Sequence, residues 1–506
     1  MPVARTLSVA LRGVDGALVE IEADLANGLP AFTIIGLPDA ALGEAKDRVR
    51  SAAANSGCDL PSRKVTVNLS PASVPKHGSG FDLGIAVAAL ATTGIVSHAA
   101  IESVVHLGEL SLDGRLRPVA GVLPAVLAAR RGGARAVVVP SGNADEARLV
   151  PGIRIIAAAS LRDVLIGHGA ALDSVPVEAL VASEVDGPRP ESGDLADVVG
   201  HPEAVEALQV AAAGGHHMLM LGPPGAGKTL LASRLPGLLP DLEPDAAVEV
   251  SSVRSLAGLP LGASLVTRPP LEAPHHSATM ASLVGGGSGL VRPGAISRAA
   301  HGVLFLDEAP EFSGAVLDAL RQPLETGEIT IHRARTVARF PARFQLVLAA
   351  NPCPCGQGGG DDCTCTPMMR RRYLGRLSGP LLDRIDLHLT VRRVSVAQMT
   401  EGATGPVTTV EARARVVAAR ARARARWGSE GWGLTAHVPG AALRSPRWRL
   451  PAADRGALDR ALERGALTMR GYDRVLRVAW TLCDLDGDER PSADHVGRAL
   501  YLRKGI

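Results

Sequence analysis

The sequence predicts a multidomain α/β protein with a helical C-terminal region. Short apolar segments alternate with helical patterns from residue 1 to about residue 170, and again from 196 to 392. Strand signals fade after residue 393, and residues 171–195 are acidic and rich in proline and serine, which is typical of a linker. We therefore expect α/β domains at 1–170 and 196–392, joined by that linker, and a helical domain at 393–506.

In the first domain, period-two alternation predicts strands at residues 18–22 (LVEIE) and 64–69 (KVTVNL). The apolar run at 136–139 (AVVV) predicts a short buried strand, and helical patterns cover residues 39–56 and 81–93. Strands and helices that alternate in this way pack as layers, which is why we predict an α/β domain here.

The composition of the 506 residues is that of a globular protein, with 46% hydrophobic and 21% charged residues. The formal charge is only +3, so any contact with nucleic acid must come from local patches. No run of about 18 apolar residues occurs, and the first residues lack the apolar core of a secretory signal. Six cysteines do not make a disulfide framework. These features predict a cytoplasmic protein with no membrane segment.

The strongest motif is GPPGAGKT, between a predicted strand at 217–221 (HMLML) and the start of a helix at 230–235. Glycines let backbone N–H groups curl around phosphate oxygens, and the following helix N-terminus adds partial positive charge. Lys228 can reach the β- and γ-phosphates, and the Thr229 hydroxyl can ligate Mg²⁺. The predicted ATP-binding residues are Gly222, Pro223, Pro224, Gly225, Ala226, Gly227, Lys228 and Thr229.

Two further predicted strands end in the polar groups that an ATPase needs. The apolar strand at 302–306 (GVLFL) is followed by Asp307, which can hold Mg²⁺, and by Glu308, which can polarise the attacking water. The strand at 344–350 is followed by Asn351, which either orients that water or is an ordinary turn residue. In this order of strands we favour the catalytic interpretation.

Two arginines are candidates for contacting the γ-phosphate. Arg384 can complete a neighbouring subunit's site as an arginine finger. Alternatively, it forms an ion pair with Asp383 or Asp386. Arg470 opens a predicted helix in the last domain and can reach the γ-phosphate from there, with Arg474 as the substitute candidate. The alternative for both is an ordinary helix surface.

Two insertions carry cations that suit a nucleic-acid backbone. The segment 258–298 has a glycine-rich centre, and the segment 328–337 (EITIHRARTV) is typical of a hairpin with Arg333 and Arg335 at its tip. Such loops bind phosphates without reading sequence, although these arginines can equally be solvated or paired with neighbouring subunits. We interpret the two adjacent histidines of the first insertion as structural or nucleotide-adjacent groups. The side chains flanking its centre are Arg268, His275, His276, Arg292 and Arg298.

Four cysteines form a tight cluster with the pattern C-x-C-x₇-C-x-C. Thiolates at Cys353, Cys355, Cys363 and Cys365 can hold a tetrahedral Zn²⁺ ion, although the C-x-C spacing is shorter than the common C-x₂-C. Metal-free thiols and redox chemistry are the alternatives, and disulfides are disfavoured in a reducing cytosol.

Together these residues resemble the AAA+ ATPases of the magnesium-chelatase-like group, and more closely the ComM/YifB family. The resemblance covers nearly the whole chain. It implies a ring, usually a hexamer, with ATP and Mg²⁺ between subunits, and threading or branch migration of DNA. It also implies that Lys228, Asp307, Glu308, Asn351, Arg384 and Arg470 are catalytic. The motifs that carry it are DVVG at 197–200, GPPGAGKT at 222–229, APHHSAT at 273–279, GVLFLDEAPEF at 302–312, AANPCPCG at 349–356 and RYLGRLSGPLLDRIDLHL at 372–389.

The N-terminal domain resembles the proteolytic domain of Lon proteases, but it lacks the residues for proteolysis. Asp82 falls where the catalytic serine of Lon belongs, and Leu123 falls where its lysine belongs. Aspartate and leucine cannot supply a serine nucleophile and its base, and the spacing of Ser79 does not fit. The sequence therefore predicts a degenerate, non-proteolytic domain at residues 1–170.

The resulting hypothesis is a ring-forming ATPase that moves along single-stranded or branched DNA, independently of its sequence. Two alternatives stay open: a magnesium-chelatase-type motor for metal insertion, and a protein-remodelling ATPase that uses the N-terminal domain as an adaptor. The ATP motifs are common to all three. Stimulation of ATP hydrolysis by DNA, or by peptide, distinguishes among them.

Overall fold

A computed structural model of the chain describes residues 3–36, 40–181, 193–287, 291–332, 337–357, 363–394 and 407–503. Two large sheets, each packed with helices, are followed by a C-terminal region in which the described residues form helices and turns. The predicted α/β class with a helical C-terminal region is therefore confirmed. None of the described helices is long and apolar enough to cross a lipid bilayer.

The N-terminal domain is a seven-stranded mixed sheet with apolar cores on both faces. The seven strands of this sheet are β1 (Ala4–Arg12), β2 (Asp15–Ala26), β3 (Ala31–Ile35), β4 (Lys64–Ser70), β5 (Val104–His106), β8 (Ala136–Pro140) and β9 (Arg154–Ala158). The short strands β6 (Glu109–Leu110) and β7 (Leu116–Arg117) pair with each other outside it. Its helices are α1 (Ala40–Gly43), α2 (Ala45–Asn55), α3 (Asp82–Ala91), α4 (His98–Ile101), α5 (Val122–Arg131), α6 (Ala144–Arg148) and α7 (Leu161–Gly167).

The strand order of this sheet is β3-β4-β2-β1-β5-β8-β9. The alternation predicted in β2 buries Val19, Ile21, Ala23 and Leu25, and the predicted strand at 136–139 is buried throughout. Helix α3 is buried along its whole length, because it packs against β1, β2 and α2. The apolar pattern of the sequence thus accounts for the core of this domain.

The second domain is built on a five-stranded parallel sheet, in the order β11-β14-β17-β10-β18. Because all five strands run the same way, everything that follows a strand lies at one edge of the sheet, the carboxyl edge. Everything that precedes a strand lies at the opposite, amino edge. The strands are β10 (Met218–Leu221), β11 (Leu271–Glu272), β12 (Gly285–Gly286), β13 (Arg292–Pro293), β14 (Val303–Leu306), β15 (Glu328–His332), β16 (Val337–Pro341), β17 (Gln345–Ala350) and β18 (Leu387–Thr390).

Helices cover this sheet, and two short hairpins, β12–β13 and β15–β16, extend from it. The second hairpin confirms the hairpin predicted at residues 328–337. The helices are α8 (Pro202–Gly214), α9 (Lys228–Leu238), α10 (Pro244–Leu256), α11 (Met280–Val284), α12 (Ala295–Arg298), α13 (Gly314–Ala319), α14 (Arg321–Thr326), α15 (Pro367–Leu374) and α16 (Gly379–Leu382).

The C-terminal helices share one apolar core with the second domain. Helix α17 packs its buried face, Ala412, Val416, Ala419 and Ala423, against α8 and α9. Trp427 lies at the end of that face, within a cluster formed by the four tryptophans of the chain. The helices of this region are α17 (Thr409–Trp427), α18 (Gly440–Leu443), α19 (Ala452–Glu463), α20 (Met469–Asp486) and α21 (Ala493–Arg503).

A backbone bridge and polar contacts join the N-terminal domain to the second domain. Gly13, in the turn between β1 and β2, forms a bridge with Arg339 of β16, so close that a Cβ on Gly13 would lie 2.0 Å from the Arg339 carbonyl oxygen. On α6, the buried carboxylate of Glu146 accepts a hydrogen bond from Ser255 of α10, and burial raises the pKa of Glu146. The Ser255 carbonyl in turn accepts the N–H of Gly121 at 3.1 Å.

A buried polar network at the amino edge joins the sheet to helix α20. Asp386, only 2% exposed, has its Oδ2 3.2 Å from Nδ1 of His216 and its Oδ1 2.5 Å from Arg474. Nε2 of His216 lies 2.8 Å from the Thr481 hydroxyl of α20. Burial alone would raise the pKa of Asp386, but Arg474 and His216 hold it well below its usual range.

We predict that Asp386→Asn destabilises the C-terminal region by about 3–5 kcal/mol, because it leaves the mostly buried Arg474 without its anion. Asp383→Asn is the matched control: Asp383 is 42% exposed, and its partner Arg470, at 3.5 Å, is 74% exposed. We expect that variant to lose less than about 1 kcal/mol. Because all four tryptophans lie in this region, urea unfolding followed by tryptophan fluorescence reports on it selectively.

The same depressed pKa sets the pH dependence. The stabilisation from Asp386 is complete above the pKa of an unfolded aspartate and is lost as the pH falls through the lower folded value. Equal losses of stability in the Asp386 and Asp383 variants would contradict this account.

Candidate functional site

The predicted phosphate loop lies at the carboxyl edge, between the end of β10 at Leu221 and the start of α9 at Lys228. Gly222 passes so close to the neighbouring strand that a Cβ would lie 2.1 Å from the Val391 carbonyl oxygen. Gly227 has a φ of 86°, a left-handed conformation that glycine adopts without steric cost. The loop therefore has the close backbone approach and the helix N-terminus that bind phosphate.

Lys228 and Asn351 meet at this edge. The Lys228 ammonium donates to Asn351 Oδ1 at 3.0 Å, and to the carbonyls of Gly222 at 2.6 Å and Pro223 at 3.0 Å. Burial lowers the pKa of Lys228, while the nearby Asp307 and Glu308 carboxylates oppose that shift. The Asn351 side chain thus faces the phosphate loop, and its role toward the γ-phosphate stays a prediction.

The two predicted magnesium ligands are in direct contact. The Thr229 hydroxyl donates to Asp307 Oδ2 at 2.7 Å, and Asp307 Oδ1 accepts the backbone N–H of Glu308 at 2.9 Å. Hydroxyl and carboxylate oxygens are the donors that Mg²⁺ prefers beside phosphates. The chemistry of this pair therefore fits a magnesium ion bound with the nucleotide.

Two further side chains lie beside this group: His276, which the sequence suggested as structural or nucleotide-adjacent, and Tyr373, which was not predicted. His276 Nδ1 lies 3.2 Å from Glu308 Oε2, which places a histidine against the carboxylate expected to activate water. Tyr373 of α15 is buried next to Asn351 and Glu308, and this burial raises its pKa to about 12. The motif APHHSAT comes shortly after β11, whose end lies at the same carboxyl edge; that position was the available sequence signal for His276.

Arg384 and Arg470 lie at the opposite, amino edge of the sheet. Asp386 N–H bonds to the carbonyl of His217, just before β10, and Arg384 comes two residues earlier. A strand of four residues is about 13 Å long, so Arg384 is separated from its own phosphate loop by the length of β10. Arg470 lies beside Asp383 at this same edge.

The pairing proposed for Arg384 as an alternative is not the one in the structure. Arg384 contacts Glu325 and the carbonyl of Pro380, whereas Asp383 pairs with Arg470 and Asp386 with Arg474. Burial and the neighbouring guanidinium groups of Arg321, Arg470 and Arg474 lower the pKa of Arg384. Arg474, the substitute candidate, is committed to the buried network. The amino edge therefore carries a cluster of cations.

The candidate DNA contacts are only partly described. Arg333 and Arg335 lie outside the described residues, although the two strands on either side of them pair as β15 and β16. In the first insertion, Arg298 is held by Glu272 through two bonds of 3.1 and 2.9 Å, and Arg268 lies 3.5 Å from Asp241. Arg292 is exposed on β13.

The four clustered cysteines converge directly after Asn351. The Sγ atoms of Cys353, Cys355 and Cys363 are 3.3, 3.8 and 3.6 Å apart, and all four sulfurs, with that of Cys365, lie within 4.8 Å of one another. A disulfide would need a sulfur separation of about 2 Å. Tetrahedral zinc with bonds of about 2.3 Å puts its sulfurs about 3.8 Å apart. These distances fit a shared metal ion better than a disulfide.

The position of the Lon nucleophile is occupied by a buried ion pair. Asp82 accepts bonds of 2.6 and 3.0 Å from Arg48, and the backbone N–H of Leu110 lies 3.3 Å from the same carboxylate. Ser79 donates to Glu109, and Leu123 is buried in the apolar core. The two positions matched to the Lon serine and lysine, Asp82 and Leu123, thus hold neither of those residues, and the absence of proteolysis stays a prediction.

Comparison with known proteins gives three family models that together match most of the chain. The model described as "Magnesium chelatase, subunit ChlI" matches residues 194–399. "Subunit ChlI of Mg-chelatase" matches residues 21–143, and "Magnesium chelatase, subunit ChlI C-terminal" matches residues 407–503.

Individual relatives agree with these matches. Competence protein ComM of Haemophilus influenzae is 42% identical over 504 residues, which cover 99% of this chain and 98% of ComM. Protein YifB of Escherichia coli is 38% identical over 497 residues, which cover 98% of this chain and 96% of YifB. A Lon protease of Azorhizobium caulinodans is 28% identical over 200 residues, 37% of this chain and 23% of the protease.

The similarity to ComM and YifB extends over nearly the full length of all three proteins. The phosphate loop, the two carboxylates after β14 and the asparagine after β17 come together as an AAA+ ATP site requires. This chain therefore belongs to the ComM/YifB family of magnesium-chelatase-like AAA+ ATPases.

Proposed function

We propose that this protein assembles as a ring, a hexamer as its family implies, and couples ATP hydrolysis to translocation or branch migration on DNA. The observation that carries the ring is the placement of Arg384 and Arg470 at the amino edge, opposite the phosphate loop. A ring brings the amino edge of one subunit to the carboxyl edge of the next. Each ATP then lies between the phosphate loop of one copy and the arginines of another.

The residues of one subunit prepare the nucleotide. Backbone N–H groups of the loop and the Lys228 ammonium bind the phosphates, and Thr229 and Asp307 supply oxygens for Mg²⁺. When bound, Mg²⁺ neutralises charge that develops on the transferred phosphoryl group. Asn351 holds Lys228 on one side and senses the γ-phosphate. Glu308 orients the attacking water and accepts its proton as the water oxygen bonds to the γ-phosphorus, while the bond from the γ-phosphorus to the bridging oxygen breaks and ADP leaves.

Support for DNA as the substrate comes from the two insertions and from the relationship to ComM. The β15–β16 hairpin carries Arg333 and Arg335 between its strands, and β12–β13 exposes Arg292. Cations at the ends of hairpins bind a phosphate backbone independently of sequence. The first experiment below also tests the two alternative functions, a chelatase-type motor and a protein-remodelling ATPase.

We predict that branched or single-stranded DNA stimulates ATP hydrolysis, and that Glu308→Gln lowers kcat by about 10²- to 10⁴-fold while ATP still binds. Glu311→Gln is the matched control, because Glu311 is three residues away and pairs with Arg376 at 3.1 Å. We expect this control to keep most of its activity. Steady-state ATPase assays with a panel of DNA structures and an unstructured peptide measure the response. Stimulation by peptide alone would replace the DNA proposal with protein remodelling.

We further predict that Arg384→Ala and Lys228→Ala proteins are each inactive but regain activity when mixed. In an equal, random mixture, half of the sites keep Lys228 and half of their neighbours keep Arg384, so about one quarter of the sites are complete. The control is a mixture of Lys228→Ala with Glu308→Gln. Those residues serve the same site, so no complete site forms. No recovery in the first mixture, or equal recovery in both, would contradict action in trans.

We also propose that the cysteine cluster holds a structural zinc ion. The sulfur separations favour zinc. The position of the cysteine loop also favours zinc, because this loop packs closely against the phosphate loop: a Cβ on Gly356 would lie 2.6 Å from the ring of Pro224. A tetrahedral ion would fix the chain that follows Asn351 against that loop. The cluster thus has a structural task within the ATP site.

For zinc, we predict about one ion per chain in purified protein, and a content below about 0.2 after Cys363→Ser. Cys58→Ser, at a buried cysteine of the N-terminal domain, should keep the metal. Elemental analysis by mass spectrometry measures both proteins. A wild-type content under about 0.2 per chain would rule out the zinc site.

A further inference from the structure

We propose that a cavity among the C-terminal helices binds the carboxyl terminus of a partner protein that ends in a large apolar residue with acidic residues before it. The cavity has a volume of about 300 Å³ and is lined by residues of α18, α19, α20 and the loop at 444–451. This volume is at the small end for a ligand site and suits one large side chain with its carboxylate. Neither ATP hydrolysis nor the hairpins of the proposed function require this site.

The inner lining of the cavity is apolar. Leu443 of α18, Leu450 of the loop and Leu476 of α20 are each no more than 3% exposed. Tyr472 of α20 lies with them, and its hydroxyl donates to Asp459 Oδ1 at 2.8 Å. An occupant that fills this part of the cavity must therefore bring an apolar group.

The outer lining of the cavity consists of three arginines, and no described carboxylate lines the cavity with them. Arg444 contacts Asp473. Arg455 Nε lies 3.5 Å from Asp459 Oδ2 and, although buried, makes no hydrogen bond among the described atoms. Arg449 is exposed, has no carboxylate partner in the part of the chain that the structure describes, and has its Nε 3.5 Å from the Arg444 carbonyl. Guanidinium groups with donors to spare bind carboxylates, often through two parallel bonds.

The loop that carries Arg449 is held in place before any ligand binds. The ring of Trp448 packs in the tryptophan cluster, 4.6 Å from that of Trp427 between centroids. The N–H of Arg449 bonds to the Ser445 carbonyl at 2.8 Å, and the Arg447 guanidinium lies 4.6 Å from the centre of the Trp448 ring. A preformed site loses little conformational entropy on binding, which favours affinity for a short peptide.

Helix α20 separates the cavity from the cations at the amino edge of the sheet. Tyr472 and Leu476 share one face of this helix, because they are one turn apart. Arg470 and Arg474 share another face, turned by about 200° from the first. A ligand in the cavity therefore contacts α20 without competing for the two arginines that face the sheet.

The combination of leucines and arginines in one small cavity decides the class of ligand. A phosphate group alone would pair with the arginines but leave the apolar lining unfilled. At the carboxyl terminus of a protein, the carboxylate and the last side chain are attached to the same Cα, so a single residue reaches both linings. One carboxylate cannot pair with three guanidinium groups, and for this reason we expect acidic residues before the last one.

A nucleobase fits this lining less well than a peptide terminus does. The edge of a base presents hydrogen-bond donors as well as acceptors. Among the described residues that line the cavity, the only side-chain acceptor is the Tyr472 hydroxyl, which is already bonded to Asp459. The lining therefore favours an apolar side chain over a base.

Binding is measured by fluorescence anisotropy, with the full chain and a short fluorescein-labelled peptide that has acidic residues and ends in leucine. Physiological salt keeps general attraction between charges weak. We expect saturable binding with a Kd of about 10 µM. Conversion of the terminal carboxylate to an amide, or replacement of the last leucine by glycine, should weaken binding about tenfold each. These two comparisons use the unaltered protein, so they do not depend on the folding of a variant.

Arg449→Ala should weaken binding of the leucine-ended peptide about five- to tenfold, because it removes the guanidinium that has no described carboxylate partner. Arg464→Ala is the matched control: Arg464 is exposed directly after α19 and does not line the cavity, so the Kd should equal that of wild type. Tryptophan fluorescence checks the loop in both variants, because Trp448 lies next to Arg449.

Four results would overturn the proposal. They are no saturable binding, equal affinity for the acid and the amide peptide, equal affinity for the leucine-ended and glycine-ended peptides, and equal weakening in Arg449→Ala and Arg464→Ala. N-acetyl-leucine that binds as tightly as the peptide would make a small apolar acid the ligand, and displacement of the peptide by single-stranded DNA would make it a nucleic acid. Either finding also contradicts a peptide site. ATP hydrolysis is not a readout, so failure here leaves the proposed function as it stands.

Discussion

The common direction of the five strands in the central sheet decides where every functional group lies. Four groups follow strands of this sheet and therefore meet at its carboxyl edge. They are the phosphate loop after β10, the carboxylates after β14, Asn351 after β17 and His276 after β11. Arg384 precedes β18 and lies at the amino edge. Because Arg384 is separated from the phosphate loop by the length of a strand, it cannot reach a nucleotide bound to that loop in any rotamer. In the proposed ring, parallel pairing therefore makes a site that is complete only between copies.

The C-terminal helices are joined to that amino edge and are not an independent cap. They share an apolar core with the sheet, and Asp386 links His216, Arg474 and, through His216, Thr481 of α20. Arg503 of α21 adds a bond of 2.5 Å to the carbonyl of Ile385. Because Arg384 lies in the same short segment, its position depends on how these helices pack. A movement of the helices would therefore be transmitted to Arg384, the arginine that the proposed ring presents to a neighbouring subunit.

The sequence was sufficient for features that are local in the chain and insufficient for those that depend on distant partners. The phosphate loop, the period-two strands and the hairpin at 328–337 follow from spacing and periodicity, and the structure contains them. The partner of Arg384 was not predictable, because Glu325 lies 59 residues away and competes with nearer carboxylates. The partner of Arg298 was not predictable either: its charge suits DNA, but Glu272 holds it. Nor was the contact of His276 with Glu308, because it depends on the alignment of β11 with β14.

The N-terminal domain contributes to the structure through its core and through its surface. Asp82, at the position expected to match the Lon serine, is buried and fixed by Arg48 inside the domain. The surface of the domain contacts the second domain. Its β1–β2 turn lies against β16, the second strand of the hairpin that carries the candidate DNA contacts. In addition, the Glu146 carboxylate accepts a hydrogen bond from Ser255 of α10. A hairpin of two short strands is only marginally stable by itself. Support from Gly13 and Val14 at Arg339, in the middle of β16, therefore makes the N-terminal domain part of the mechanical frame that the proposed grip on DNA would need.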